Sequence, residues 1–168
     1  GITFQHSEND DGSKFIVALL FCGEALGEKR YHRGAREILD VFLDAQLDSG
    51  AIPDIDRLGK RYGKNRSNAD YGTFESSLFC EAGDLVTDQV YGSSFLLLAL
   101  FVAHRFLGED TGIDRAMYGL ADYLAAIQLR NTGHRFLDGA WMRAFDPIRW
   151  EYFGSAGDWG YGPYLLET

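Results

Sequence analysis

Cysteine is scarce. Cys22 and Cys80 are the only two in 168 residues, they stand far apart in apolar surroundings, and no CxxC pair exists. A zinc ribbon or a disulfide-dense scaffold is therefore excluded, while two buried thiols and a single bridge both stay open. The four histidines, His6, His32, His104 and His134, are scattered without ligand spacing, so neither a metal nor any other cofactor is expected. Basic residues are also short. Against 25 Asp and Glu there are 16 Lys and Arg, a formal net charge of −9. That balance argues against nucleic acid as a partner, because phosphates need a basic face. No apolar stretch approaches the roughly 20 residues of a membrane-spanning helix, so no membrane partner is expected.

What is present is ordinary globular material, 46% apolar and 24% charged, and at this length one domain over residues 1–168 is expected. Four amphipathic helical segments can be read. They cover residues 13–26, with Phe15, Leu19, Cys22 and Leu26 along one side, then 31–47, 87–107 and 113–129. The run Phe95-Leu96-Leu97-Leu98-Ala99-Leu100-Phe101 is apolar all round, the pattern of a helix buried on most sides. The fold class expected is all-α, built of helical hairpins with long Gly- and aromatic-rich loops.

The two hairpins align with one another. A shift of 81 carries Ala18, Leu26, Gly27 and Glu28 onto Ala99, Leu107, Gly108 and Glu109; a shift of 82 then carries Asp40, Gln46 and Leu47 onto Asp122, Gln128 and Leu129. Each unit reads helix, LGE turn, helix, QL, then a Gly-containing loop. Repetition of helical hairpins points to a solenoid or a closed toroid. The 48–86 connection is long for a compact domain, and its 60–66 portion is basic without apolar period, as functional loops often are.

The segment 137–168 holds all three tryptophans, interleaved with glycine and acid. Its apolar residues keep neither helical nor strand period, so a long loop is expected rather than a regular helix or a buried strand. Aromatic faces beside carboxylates are what a carbohydrate site needs, since sugar rings stack on Trp and Tyr and glycosidic bonds break between paired acids. Three acidic clusters qualify. Asp88 follows Thr87, a natural N-cap, and in a first helical turn the dipole favours its charged form, suiting a base or nucleophile. Asp138, Asp146 and Glu151 lie among Trp141, Phe145, Trp150 and Tyr152, where desolvation raises a carboxyl toward general-acid duty. Asp158 sits between Gly157 and Trp159, ahead of Tyr161, with backbone able to approach a ligand. Arg143 and Arg149 suit a bidentate grip on an acidic sugar, or an ion pair with those carboxylates.

The run GAWMRAFDPIRWEYFGSAGDWGYGPYLLET resembles a motif of bacterial six-hairpin, (α/α)6-toroid glycoside hydrolase-like proteins, and DLVTDQVYGSSFLLLALFVAHRFLGE and DGSKFIVALLFCGEALGE resemble their helix pairs. The resemblance covers nearly the whole chain but only part of a toroid of about twelve helices, so a fragment of a larger toroid is expected, with the remainder as its partner. It implies a sugar cleft at one end of the inner helices and a periplasmic or secreted setting; it assigns no catalytic residue.

The function expected is hydrolysis of glycosidic bonds in a poly- or oligosaccharide. Asp88, Glu151 and Asp158 are the candidate catalytic carboxylates, Glu151 or Asp158 the general acid and Asp88 its partner. Trp141, Arg143, Asp146, Trp150, Tyr152, Trp159 and Tyr161 are the candidate substrate-binding residues. A polysaccharide lyase or epimerase would use Tyr152, Tyr161 or His134 as base with Arg143 neutralising a uronate. A non-catalytic glycan-binding module would need only the aromatics.

Overall fold

Two turns of nearly identical sequence organise the helices. In the computed structural model, which describes residues 9–53, 87–89, 91–142, 144–153 and 159–160, Leu26-Gly27-Glu28 joins α1 (Asn9–Leu26) to α2 (Lys29–Asp44). Leu107-Gly108-Glu109 opens the turn between α3 (Gly92–Leu107) and α4 (Thr111–Ile127). Both glycines hold positive φ, +66° and +84°, and each ends its helix. The second turn is one residue longer. Glu28 is the N-cap of α2 and Asp110, not Glu109, that of α4, which is where the sequence offset passes from 81 to 82.

The hairpins exit alike as well. Leu47 N–H donates to Ala51 O and Leu129 N–H to Ala140 O, both at 2.9 Å; Gly50 and Gly139 donate back to Leu47 and Leu129 carbonyls at 2.9 and 2.8 Å. The Gln46 and Gln128 side-chain amides donate to the Gly50 and Gly139 carbonyls at 3.0 and 2.8 Å. The repeat is thus one of three-dimensional structure. The expected helix ends at residues 47 and 129 are corrected by it: α2 and α4 stop at Asp44 and Ile127, freeing the QL pair to close the loop.

The described residues are mainly helical, with a small antiparallel sheet added at one end. α1 packs between α2 and α3, which gives the two first helices of the hairpins a shared core of Ile16, Leu20, Leu96 and Leu100, closed by Leu39, Ile113, Leu120 and Leu124, all fully buried. α1 and α3 run parallel. Lys14 Nζ sits 5.1 Å over the Phe95 ring near their starts, and Phe21 meets Phe106 at 5.1 Å between ring centroids near their ends. The side of α1 carrying Phe15, Cys22 and Leu26 is exposed, so Cys22 is an exposed free thiol and not a buried one. Cys80, the 60–66 loop and the 81–84 acidic residues lie outside the described residues.

Charge ties the hairpins together. Arg36 of α2 donates to Asp110 at the α4 N-cap and to Asp40 at 2.6 Å, while Asp110 accepts from Gly112 N–H at 2.8 Å and Ile113 N–H at 3.2 Å. The Arg36 guanidinium, then the two amides, hold the Asp110 carboxyl below its ordinary value of 3.8. A group with a depressed folded pKa stabilises above its unfolded value and loses that contribution as pH falls through the folded one. Asp110→Asn is therefore expected to be less stable than the parent at pH 7, the gap closing as pH falls below about 4. Urea midpoints at pH 7 and pH 3 check this; a gap independent of pH would show the ion pair to be inert.

Candidate functional site

Thr87 and Asp88 do not begin a helix. They form β1 (Thr87–Asp88), paired antiparallel with β3 (Ala144–Asp146), which pairs in turn with β4 (Glu151–Phe153). β2 (Trp141–Met142) pairs with β5 (Trp159–Gly160). The expectation of a helix from 87 and of a strandless 137–168 loop is corrected here. Strands of two or three residues need no long alternating pattern, and of the segment's glycines only Gly160 falls within one. Thr87 Oγ1 lies 2.7 Å from Tyr123 OH and donates to Phe145 O at 3.1 Å, which draws it into the ladder and away from a capping role.

Register decides which carboxylates meet. Asp88 faces Ala144 and Ala144 faces Phe153, while Asp146 faces Glu151. Cross-strand partners share a face and alternate residues return to it, so Asp88, Asp146 and Glu151 lie on one face of the sheet. The other face carries Thr87, Phe145 and Tyr152 onto Tyr123 of α4. By ordinary sheet spacings the Asp88 and Glu151 Cα atoms are roughly 12 Å apart. Asp88, 8% exposed, accepts from Tyr91 N–H at 3.0 Å. Glu151 is exposed instead of walled by aromatics. Asp146 is buried and shapes the β3–β4 turn, its Oδ1 accepting from Ile148 N–H at 2.8 Å and Arg149 N–H at 2.9 Å. Arg149 Nη1 stands 3.6 Å from Asp146 Oδ2, the ion-pair arrangement rather than an open clamp.

The tryptophans divide. Trp141 is 1% exposed and its indole N–H donates to Leu124 O at 2.8 Å, so it is a core residue and offers no stacking wall. Trp150 is 49% exposed, its ring met edge-on by Tyr123 and Phe145 at 5.9 and 5.3 Å. It holds φ +58°, costly for a bulky residue, secured by its N–H donating to Asp146 O at 2.9 Å. Tyr152 donates its hydroxyl to Ile127 O, and burial pushes its phenol well above the ordinary range, so it is unfit as a base. Asp138 is likewise a loop former, accepting from Thr132 N–H at 2.8 Å and Oγ1 at 2.7 Å, which holds its carboxyl below the usual range. Trp159 lies in β5; Arg143, Asp158 and Tyr161 lie outside the described residues.

The sequence reading missed a polar cluster at the same end. The parallel starts of α1 and α3 bury Asp10, Ser13, Gln89 and Ser93, and Asp10 Oδ1, Gln89 Oε1 and Ser93 Oγ have no hydrogen-bond partner. Buried polar atoms left this way are costly and uncommon. A signal existed, since the repeat offset places Gly12-Ser13 on Ser93-Ser94. A cavity of about 470 Å³ lies elsewhere, between the α2 exit loop and α4, bordered by Asp48, Ser49, Arg115 and Asp122, and shares no residue with the carboxylate face. Among the described residues no cluster of His, Cys, Asp and Glu is arranged to hold a metal ion, and no helix is long and apolar enough to cross a membrane. Comparison of the chain with protein-family models, with curated proteins and with solved structures finds no match.

Proposed function

We propose that the protein acts on carbohydrate by hydrolysing glycosidic bonds of a poly- or oligosaccharide, its hairpins forming part of an α/α toroid. One observation carries the reading: Asp88 and Glu151 share a sheet face, and the half-exposed, strained Trp150 directly precedes Glu151 in the chain, its ring against Tyr123 and Phe145 of the opposite face. Strain of order 1–3 kcal/mol at an exposed aromatic is retained where position matters more than stability. In this scheme Trp150 stacks on a sugar ring, Glu151 or Asp158 protonates the leaving oxygen, and Asp88 is the partner carboxylate. The hydrogen bond from Tyr91 N–H fixes the orientation of the Asp88 carboxyl. Inversion needs the two carboxyl groups roughly 6.5–9.5 Å apart to admit a water and retention about 5–5.5 Å, so the anomer formed first tells which of the two the pair performs.

Asp88→Asn and Glu151→Gln are each expected to lower kcat by roughly 10²–10⁴-fold on a cleaved polysaccharide, with folding unchanged. Reducing-sugar assays on a glycan panel read this, and NMR of the first-formed anomer reads inversion. Full activity in both variants would sink the assignment. A new double bond in the product would move the reading to a lyase, for which the half-buried, donating Tyr152 is not the base. Glycan binding that survives both substitutions without turnover would leave a binding module.

A further inference from the structure

The second hairpin departs from the first at two positions of its second helix, and both departures open one cavity. At the offset of 82, Arg33, Glu37 and Asp40 of α2 correspond to Arg115, Gly119 and Asp122 of α4. Spaced by four and then three residues, the members of each set share one face of their helix. On α2 the Asp40 carboxylate accepts from Arg36 at 2.6 Å. On α4 the counterpart of Arg36 is Tyr118, so Asp122 has no such cation one turn before it. The counterpart of Glu37 is Gly119, which leaves a notch between Arg115 and Asp122; a Cβ there would stand 3.0 Å from Gln46 Nε2. The α2 exit loop approaches this notch and completes a cavity of about 470 Å³, with Asp48 on the loop side.

The polar groups around the cavity divide into those already engaged and those available. The Gln46 amide is held by the Gly50 and Ala116 carbonyls and fixes the loop against the helix. Among the described residues, Arg115, Asp48 and Asp122 have neither a hydrogen-bond nor an ion-pair partner, and all three are exposed. A neutral molecule covering them would strip water from three charges without compensation, so a fitting occupant carries charge of both signs. At 1.5 Å per residue, Arg115 and Asp122 stand roughly 10 Å apart along α4, and the occupant's charges must be separated to match. Two or three extended residues span roughly 7–11 Å. We propose that the cavity binds a short peptide with free termini. Its carboxylate is held by the planar fork of Arg115 and its ammonium by the carboxylates of Asp122 and Asp48. The cavity shares no residue with the carboxylate face, so this site stands or falls apart from the carbohydrate reading.

Titration of the isotope-labelled full chain with triglycine tests this, read by NMR at the backbone amides of Gly50 and Gly119, which line the cavity. Those resonances are expected to shift and to saturate in the millimolar range. Amidating the carboxylate of triglycine, or acetylating its amine, should each weaken binding roughly fivefold or more. Arg115→Gln and the double variant Asp48→Asn/Asp122→Asn alter exposed positions, so circular dichroism should stay helical while each loses affinity to a similar degree. Arg115→Gln should make no further difference to the amidated peptide, because the carboxylate that Arg115 would hold is gone. Absence of shifts at tens of millimolar triglycine overturns the proposal. So does equal binding of the blocked peptides, undiminished affinity in either variant, or a matching response of the same amides to the neutral sugar maltotriose.

Discussion

Gly50→Ala is expected to destabilise the fold by about 3 kcal/mol, whereas Gly27→Ala costs about 1 kcal/mol, although both glycines have positive φ. A Cβ on Gly27 meets nothing within 4 Å, so only the backbone preference of an L-residue opposes it. On Gly50 the same atom stands 2.0 Å from the Gly119 carbonyl oxygen and 2.5 Å from its carbon. Those are backbone atoms in the middle of α4 and cannot swing aside. The loop would have to lift, and with it would go the Gln46 amide, which bonds both Gly50 O and Ala116 O at 3.0 Å. For a chain of this size the loss corresponds to a fall in Tm of roughly 10 °C. Thermal unfolding of the two variants in parallel measures it. Equal shifts would mean that the approach of loop and helix is looser than its geometry, and that the repeat lock contributes little.

That lock shows how much of the fold was legible. The pairing of LGE turns and QL exits is visible as an offset of 81 becoming 82, and the structure places the extra residue where the offset changes, at Asp110. Periodicity located the four helices of the described residues because each buries an apolar stripe, and stripes survive in sequence. The faces were less legible. On α1 the row Phe15, Cys22, Leu26 and the row Ile16, Leu20 are both apolar, and only the second is buried. Helical spacing cannot rank two apolar rows; what decides is which one a neighbour reaches.

The site was legible in its residue types and not in its shape. Asp88 and Glu151 were found as candidates by their neighbours, yet their common face arises from a register between segments more than fifty residues apart. Such short strands carry no alternating signature, so Thr87 looked like a helix cap when its hydroxyl belongs to Tyr123 and Phe145. Asp10, Gln89 and Ser93 escaped because a polar residue at a helix start is ordinary. Their burial depends on how the helices pack, a tertiary fact.

Trp141 and Trp150 look alike in sequence, each beside acid or arginine in one aromatic segment, and they should fail in opposite ways. Trp141→Ala removes a ring that is 1% exposed and leaves the Leu124 carbonyl without its indole partner, an expected loss of about 3–5 kcal/mol. Set against typical domain stabilities of about 5–15 kcal/mol, that brings the chain close to unfolding. Trp141→Phe keeps most of the volume and forfeits the hydrogen bond, about 1–2 kcal/mol. Trp150→Gly should be nearly neutral for stability. Its lost edge contacts with Tyr123 and Phe145, each about 1 kcal/mol, are offset in part by releasing a φ of +58° that glycine adopts freely. If Trp150 is the stacking wall, the same variant should bind glycan roughly tenfold more weakly, since one lost ring contact is worth about 1.4 kcal/mol. Urea unfolding and glycan affinity measured on both variants separate the roles. A stable Trp141→Ala would contradict the buried hydrogen bond, and unchanged glycan affinity in Trp150→Gly would remove the aromatic wall from the proposed site.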